Sequence, residues 1–285
     1  MPASDLLQKR LGAGFAGLAV VTWMLLVFGS TVRVHGAGLS CPDWPLCFGE
    51  LVPVFNFQVF LEWGHRVLAG TISVGFLALG VAVLANPERR RKHGAIVLAA
   101  SIVLVAQIVL GGLTVLHLLA FWSVTLHLLF GNAFMALLVV LAVRLRGAAP
   151  VALGAARGAA IAVAVAVVVQ MALGGLVSSN YAGLACTEWP TCSDGVWFPS
   201  LDGIVGLHLL HRLGAYTVLA AAVAFAWTGR ASGGAAAAFA VLGLVLAQVT
   251  FGVATVLLSM PVELQILHAA MAHLLVATLA WVHAR

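Results

Sequence analysis

Hydrophobic residues in this chain do not mark one face of a helix or alternate along a strand. They run on unbroken. Eight such runs cover approximately residues 11–32, 61–85, 95–116, 122–143, 158–178, 205–228, 235–257 and 265–283. A bilayer core roughly 30 Å thick needs about 20 apolar residues in helical form to cross it, and each run is of that order. Hydrocarbon offers no water to a free backbone amide, so such runs take the self-satisfying helical form. The pattern predicts eight membrane-spanning helices. The first run follows Lys9 and Arg10, as the core of a secretory signal would. It is too long for one, lacks a clear small-residue cleavage site, and is expected to be a retained helix.

Composition agrees. Of 285 residues, 63% are hydrophobic and 8% charged, where a soluble domain has about a quarter of its residues charged. So few charges cannot coat a water-exposed surface, which excludes most soluble enzymes, nucleic-acid binders and disordered regulators. The net charge of +5 therefore speaks of topology, with lipid and not nucleic acid as the surroundings. Eleven of the 14 Lys and Arg residues fall at the termini or in the even-numbered connections. Cytoplasmic segments carry such an excess, so both termini are expected in the cytoplasm of a multi-pass plasma-membrane protein. Seven of the nine acids lie toward the other face, where the long connections 33–60 and 179–204 are found.

The chain repeats itself. Gly38-Leu39-Ser40-Cys41-Pro42-Asp43-Trp44-Pro45-Leu46-Cys47 returns 145 residues on as Gly183-Leu184-Ala185-Cys186-Thr187-Glu188-Trp189-Pro190-Thr191-Cys192. Glu62-Trp63-Gly64-His65-Arg66 returns as His208-Leu209-Leu210-His211-Arg212, and Gln107, Gly111, Thr114 and His127 match Gln248, Gly252, Thr255 and His268. Four helices per repeat give both the same orientation. The expected architecture is all-α, two tandem four-helix bundles related by a pseudo-twofold axis, with domains at 1–147 and 148–285.

Ionisable groups inside spans are costly and point to function. The repeat singles out His65, His127, His211 and His268, all near the outer ends of even-numbered helices. Each bundle thus offers two imidazoles on different helices, the donor set of a bis-histidine haem. A lone membrane histidine is more often a satisfied polar contact, but four that respect a duplication favour iron. Zinc would need a third ligand near each pair, and covalent haem attachment would need Cys-x-x-Cys-His; neither motif is present. Arg66 and Arg212 follow two of the histidines and Arg33 ends the first helix. These three could meet haem propionates or snorkel to lipid phosphate. His35, His93, His117, His273 and His283 carry less weight.

One matched position differs. Glu62 stands three residues before His65, where the second repeat has His208. Spacing i, i+3 puts Glu62 and His65 on one helix face, so a carboxyl group beside a haem iron could take or give a proton. This suggests that one repeat does chemistry and the other holds a permanent cofactor; the plainer alternative pairs Glu62 with an arginine at the bundle mouth. Di-iron carboxylate bundles also use Glu-x-x-His, but need more carboxylates than this chain has in its helices. The four cysteines form two Cys-x5-Cys pairs on the oxidising face. One disulfide in each loop, Cys41–Cys47 and Cys186–Cys192, is expected, with redox activity of the first left open.

Taken together, the Cys41–Cys47 loop, Glu62-x-x-His65-Arg66, Leu110-Gly111-Gly112-Leu113-Thr114-Val115 and the matched His127, His211 and His268 resemble the haem A synthase family over the whole chain. The resemblance implies an oxidoreductase that turns a ring methyl of haem O into a formyl group by successive hydroxylations. It implies haem B held in the second repeat by His211 and His268, beside Arg212, with substrate haem at His65 and His127 in the first. Glu62 would be the acid/base or polarising group. Haem O synthase and terminal oxidase assembly factors are the partners it suggests. Two rivals use the same features: a di-haem b-type cytochrome carrying electrons, and a transporter built on tandem repeats.

Overall fold

Each apolar run forms one helix. The computed structural model describes residues 3–285, and its helices are α1 Ala3–Val34, α2 Phe57–Leu84, α3 Pro87–Leu116, α4 Phe121–Arg146, α5 Arg157–Ser179, α6 Gly203–Gly229, α7 Ala235–Leu257 and α8 Val262–Ala284. All eight are long and apolar enough to cross a membrane. Among the described residues there is no β-strand, only two isolated bridges, Cys47 with Glu50 and Ser193 with Val196.

Several helices outrun their apolar stretch, because capping and charge carry them past the hydrocarbon. α3 begins at Pro87, well before its apolar run. Asn86 accepts a hydrogen bond from the Arg89 N–H at 3.0 Å, Pro87 sets the first turn, and Glu88 pairs with Lys92 at 2.7 Å. Asn56 caps α2 in the same way, accepting from the Val59 N–H at 2.9 Å. α3 and α7 end alike, each followed by two residues with positive φ: Leu118 and Leu119, then Ser259 and Met260.

The chain divides into two compact units. One takes the chain as far as Leu118, with Phe130–Pro150 and Ala280–Arg285; the other takes Leu119–Leu129 and Val151–Leu279. The first unit packs Phe15 of α1, Phe76 of α2, Ala100 of α3 and Phe134 of α4 into one apolar cluster. Phe76 meets Phe15 and Phe134 edge-on, with ring centroids 6.5 and 5.3 Å apart. In the second unit α5 lies along α6, and Val163, Val167, Val218, Ala222 and Phe225 are buried. Lipid is as apolar as these side chains, so close packing rather than water exclusion holds the helices together.

Candidate functional site

Two cysteine loops stand at the starts of α2 and α6, and they are built alike. Cys41–Cys47 and Cys186–Cys192 are both disulfides, as expected. Trp44–Pro45 and Trp189–Pro190 are both cis. In the first loop the Asp43 carboxylate accepts from the Phe48 and Gly49 N–H groups at 2.7 and 2.8 Å. Both donors sit in the left-handed region, with φ of 56° and 74°, and the Gly49 bond above all holds the Asp43 carboxyl below its usual range. Glu188 does the same in the second loop. It accepts from Asp194 and Gly195 N–H, both at 3.1 Å, and from the Thr191 hydroxyl at 2.7 Å. The Thr191 bond is the main cause of its lowered pKa.

Each loop is clamped by the arginine that follows a histidine. Arg66 Nη2 donates to the Cys41 carbonyl at 3.2 Å, and Nη1 donates to the carbonyls of Asp43, at 2.7 Å, and Leu46. Arg212 Nη2 donates to the Cys186 carbonyl at 3.0 Å and Nη1 to that of Thr191 at 2.8 Å. Cys41 and Leu46 correspond to Cys186 and Thr191, so the repeat extends to individual hydrogen bonds. Sequence reasoning considered these arginines for propionates and missed the clamps. Their acceptors are backbone carbonyls, which leave no trace in the residue pattern.

At the position where the repeats differ, the contacts differ too. Glu62 is 5% exposed. Its Oε1 accepts from Arg66 Nη2 at 2.6 Å and its Oε2 from the Cys41 N–H at 2.8 Å. Glu62 is therefore tied directly to the disulfide loop and its clamp. His208, 4% exposed, instead meets the Ala182 carbonyl through Nδ1 at 2.9 Å.

Three of the four singled-out histidines lie against a glycine of a neighbouring helix. A Cβ on Gly29 would stand 3.0 Å from Cε1 of His65, one on Gly174 3.0 Å from Cε1 of His211, and one on Gly252 2.9 Å from Cε1 of His268. Only bare backbone admits the ring that closely. Gly29 and Gly174 are 145 residues apart, the same offset as the loops, a signal that was present in the sequence. His127 lies on α4, in the stretch Leu119–Leu129 that belongs to the second unit.

His211 and His268 belong to one unit, on α6 and α8. Amides orient both rings. Gln170 Nε2 lies 3.0 Å from His211 Nδ1 and donates to the His211 carbonyl at 2.8 Å. His268 Nδ1 is 3.1 Å from the Gln248 carbonyl, while Gln248 Nε2 is 3.2 Å from His268 Nε2. Donation from Nδ1–H to that carbonyl leaves His268 Nε2 with a lone pair, the tautomer a metal ligand needs. Buried Oε1 atoms of Gln170 and Gln248 have no hydrogen-bond partner. Among the described residues no three His, Cys, Asp or Glu side chains converge as on a bare metal ion. A porphyrin iron asks the protein for as few as two ligands, which His211 and His268 would supply. Of the remaining histidines, His35 bonds to the Thr31 carbonyl at 2.9 Å, and His93 and His273 are buried.

Comparison with known proteins identifies the family. The family model described as "Cytochrome oxidase assembly protein", COX15-CtaA, matches residues 15–56 and 53–280. Three proteins named Heme A synthase are similar over nearly their whole length. That of Shouchella clausii is 32% identical, covering 96% of this chain and 95% of its own. That of Methylobacterium radiotolerans is 31% identical, covering 98% and 91%, and that of Shewanella oneidensis 28% identical, covering 93% of each. With a family match spanning both cysteine loops and all four singled-out histidines, this chain belongs to the COX15-CtaA family of cytochrome oxidase assembly proteins.

Proposed function

We propose that this chain oxidises a ring methyl of haem O to the formyl group of haem A, as the name of its relatives suggests. The resident cofactor is haem B, held by His211 and His268 in the second of two duplicated halves, 1–147 and 148–285. Bound there, the haem supplies redox chemistry. His65 and His127 are the ligands proposed for substrate haem, on the strength of the sequence repeat. The protein lies in the plasma membrane with cytoplasmic termini, receives haem O from a haem O synthase and serves terminal oxidase assembly.

The observation that carries this proposal is the place where an acid in one of two closely matched sites gives way to an imidazole in the other. Loops, clamps and glycine ring seats recur, yet Glu62 stands where the second repeat has His208. Glu62 is the proposed proton carrier. It stands three residues before His65 on the same helix face, with Arg66 and the Cys41 N–H setting the position of its carboxylate. His208 is tied to a carbonyl and positions rather than reacts.

One observation favours a second possibility. Both Glu62 oxygens are engaged, as they would be were Glu62 only a tie for the loop, and a di-haem b-type cytochrome for electron transfer would then suffice. Coexpression with a haem O-producing synthase separates the two. Extracted pigments should contain haem A and its alcohol precursor; well-folded, haem-loaded protein that yields neither would establish the cytochrome instead.

A further inference from the structure

We infer that Gln170 and Gly214 form a positioning device, present only in the second repeat, that orients His211 as an axial ligand and makes that haem the one retained. The inference rests on the haem site proposed above. In the first repeat the matched positions are Leu25 and Leu68, both packed against the apolar core of their unit. A leucine pair can offer an imidazole no hydrogen bond. The second repeat changes both residues together, to an amide and to the one side chain small enough to let that amide through.

The geometry shows why both must change. Gln170 on α5 reaches α6 and donates from Nε2 to the His211 carbonyl at 2.8 Å, which anchors the amide beside Nδ1, 3.0 Å away. A Cβ at position 214 would stand 2.1 Å from Gln170 Oε1. No L-residue other than glycine can occupy 214 while Gln170 keeps this position. The pair lines an apolar hollow between α5 and α6 of about 560 Å³, and in hydrocarbon no water replaces a lost hydrogen bond.

The amide also has the right two ends. As it stands, Gln170 N–H2 faces a ring nitrogen that accepts. A ring that gives Nε2 to iron carries its proton on Nδ1 and needs an acceptor there. The buried Oε1 of Gln170, which has no partner, is that acceptor once the amide turns end for end, giving up its bond to the His211 carbonyl. His268 has its acceptor in the Gln248 backbone carbonyl. Both ligands of the second repeat are thus supported at Nδ1, His211 by a side chain that substitution can remove.

Such support is worth about 10- to 100-fold in metal affinity, and an acceptor at Nδ1 makes the imidazole a stronger donor to oxidised iron. The test uses the full-length protein in detergent, comparing wild type with Gln170→Leu, Gly214→Ala and Gln170→Glu. Haem affinity is read by competition with an apo-globin and the midpoint potential by spectroelectrochemistry. Gln170→Leu and Gly214→Ala should each weaken haem binding about 10- to 100-fold and raise the potential. Gln170→Glu, a stronger acceptor, should lower it. Wild-type affinity and potential in Gln170→Leu would overturn the inference, as would Leu and Glu variants that shift the potential in the same direction. Should Gln170→Leu fail to fold, Gln170→Glu decides alone: a lowered potential supports the device, an unchanged or raised one refutes it. His211→Ala is the separate control, for if its haem spectrum matches wild type, the haem assignment itself has failed.

Discussion

Glu62 and His208 occupy one position in two copies of the same local structure, and in the proposed function that exchange of an acid for an imidazole separates a reactive half from a holding half. Its consequence is measurable. A positioned proton donor or acceptor contributes about 10²- to 10⁴-fold, so Glu62→Gln should lose at least about 100-fold in haem A formed while keeping bound haem B. Loss of the haem B spectrum in that variant would reverse the assignment of the halves. The exchange is legible in the sequence, because the repeat aligns the residues and the mismatch stands out. Gln170 was not legible. Its matched residue is Leu25, and a repeat comparison draws attention to what is shared. Gly214 likewise reveals itself only where a Cβ would collide with the amide.

Among the elements, the cysteine loops are held by more than their disulfides. Arg212 has two charge-assisted bonds to loop carbonyls, and such bonds contribute about 1.5–3 kcal/mol each. Arg212→Leu should therefore lower stability by about 3–6 kcal/mol, seen as a reduced melting temperature and faster proteolysis within 180–202. A melting temperature and cleavage rate equal to wild type would show that the clamp is idle. Asp43 ties the other loop through its carboxylate, whose pKa is lowered chiefly by the Gly49 N–H. A group with a folded pKa below its unfolded one stabilises above the unfolded value, and that contribution fades as pH falls through the folded one. Cleavage within 35–56 should thus be slow at neutral pH and accelerate below the ordinary carboxylate range. Asp43→Asn should already be cleaved faster at neutral pH; cleavage as slow as wild type would dismiss the tie. The loops' cysteines and acids were readable from spacing. Their clamps were not, since any residue supplies a carbonyl.

Across the whole molecule, the eight apolar runs and the eight helices correspond one to one, because hydrocarbon leaves an apolar run no other self-satisfied form. Helix ends were less legible. α3 gains a charged turn from the Asn86 cap and the Glu88–Lys92 pair, features that hydropathy alone reads as loop. The division of α4 and α8 between two compact units has no counterpart in the residue pattern, since packing partners in lipid are chosen by shape. The proposed function turns on a ligand set read from the sequence repeat: His211 and His268 as the pair that holds a resident haem B, and His65 as a residue that does not. The direct measurement is the haem b absorption spectrum and haem-to-protein ratio of purified wild type beside His211→Ala, His268→Ala and His65→Ala. A b-type spectrum should be lost or severely depleted in the first two variants and kept in the third. A spectrum that survives His211→Ala and disappears with His65→Ala would contradict this assignment.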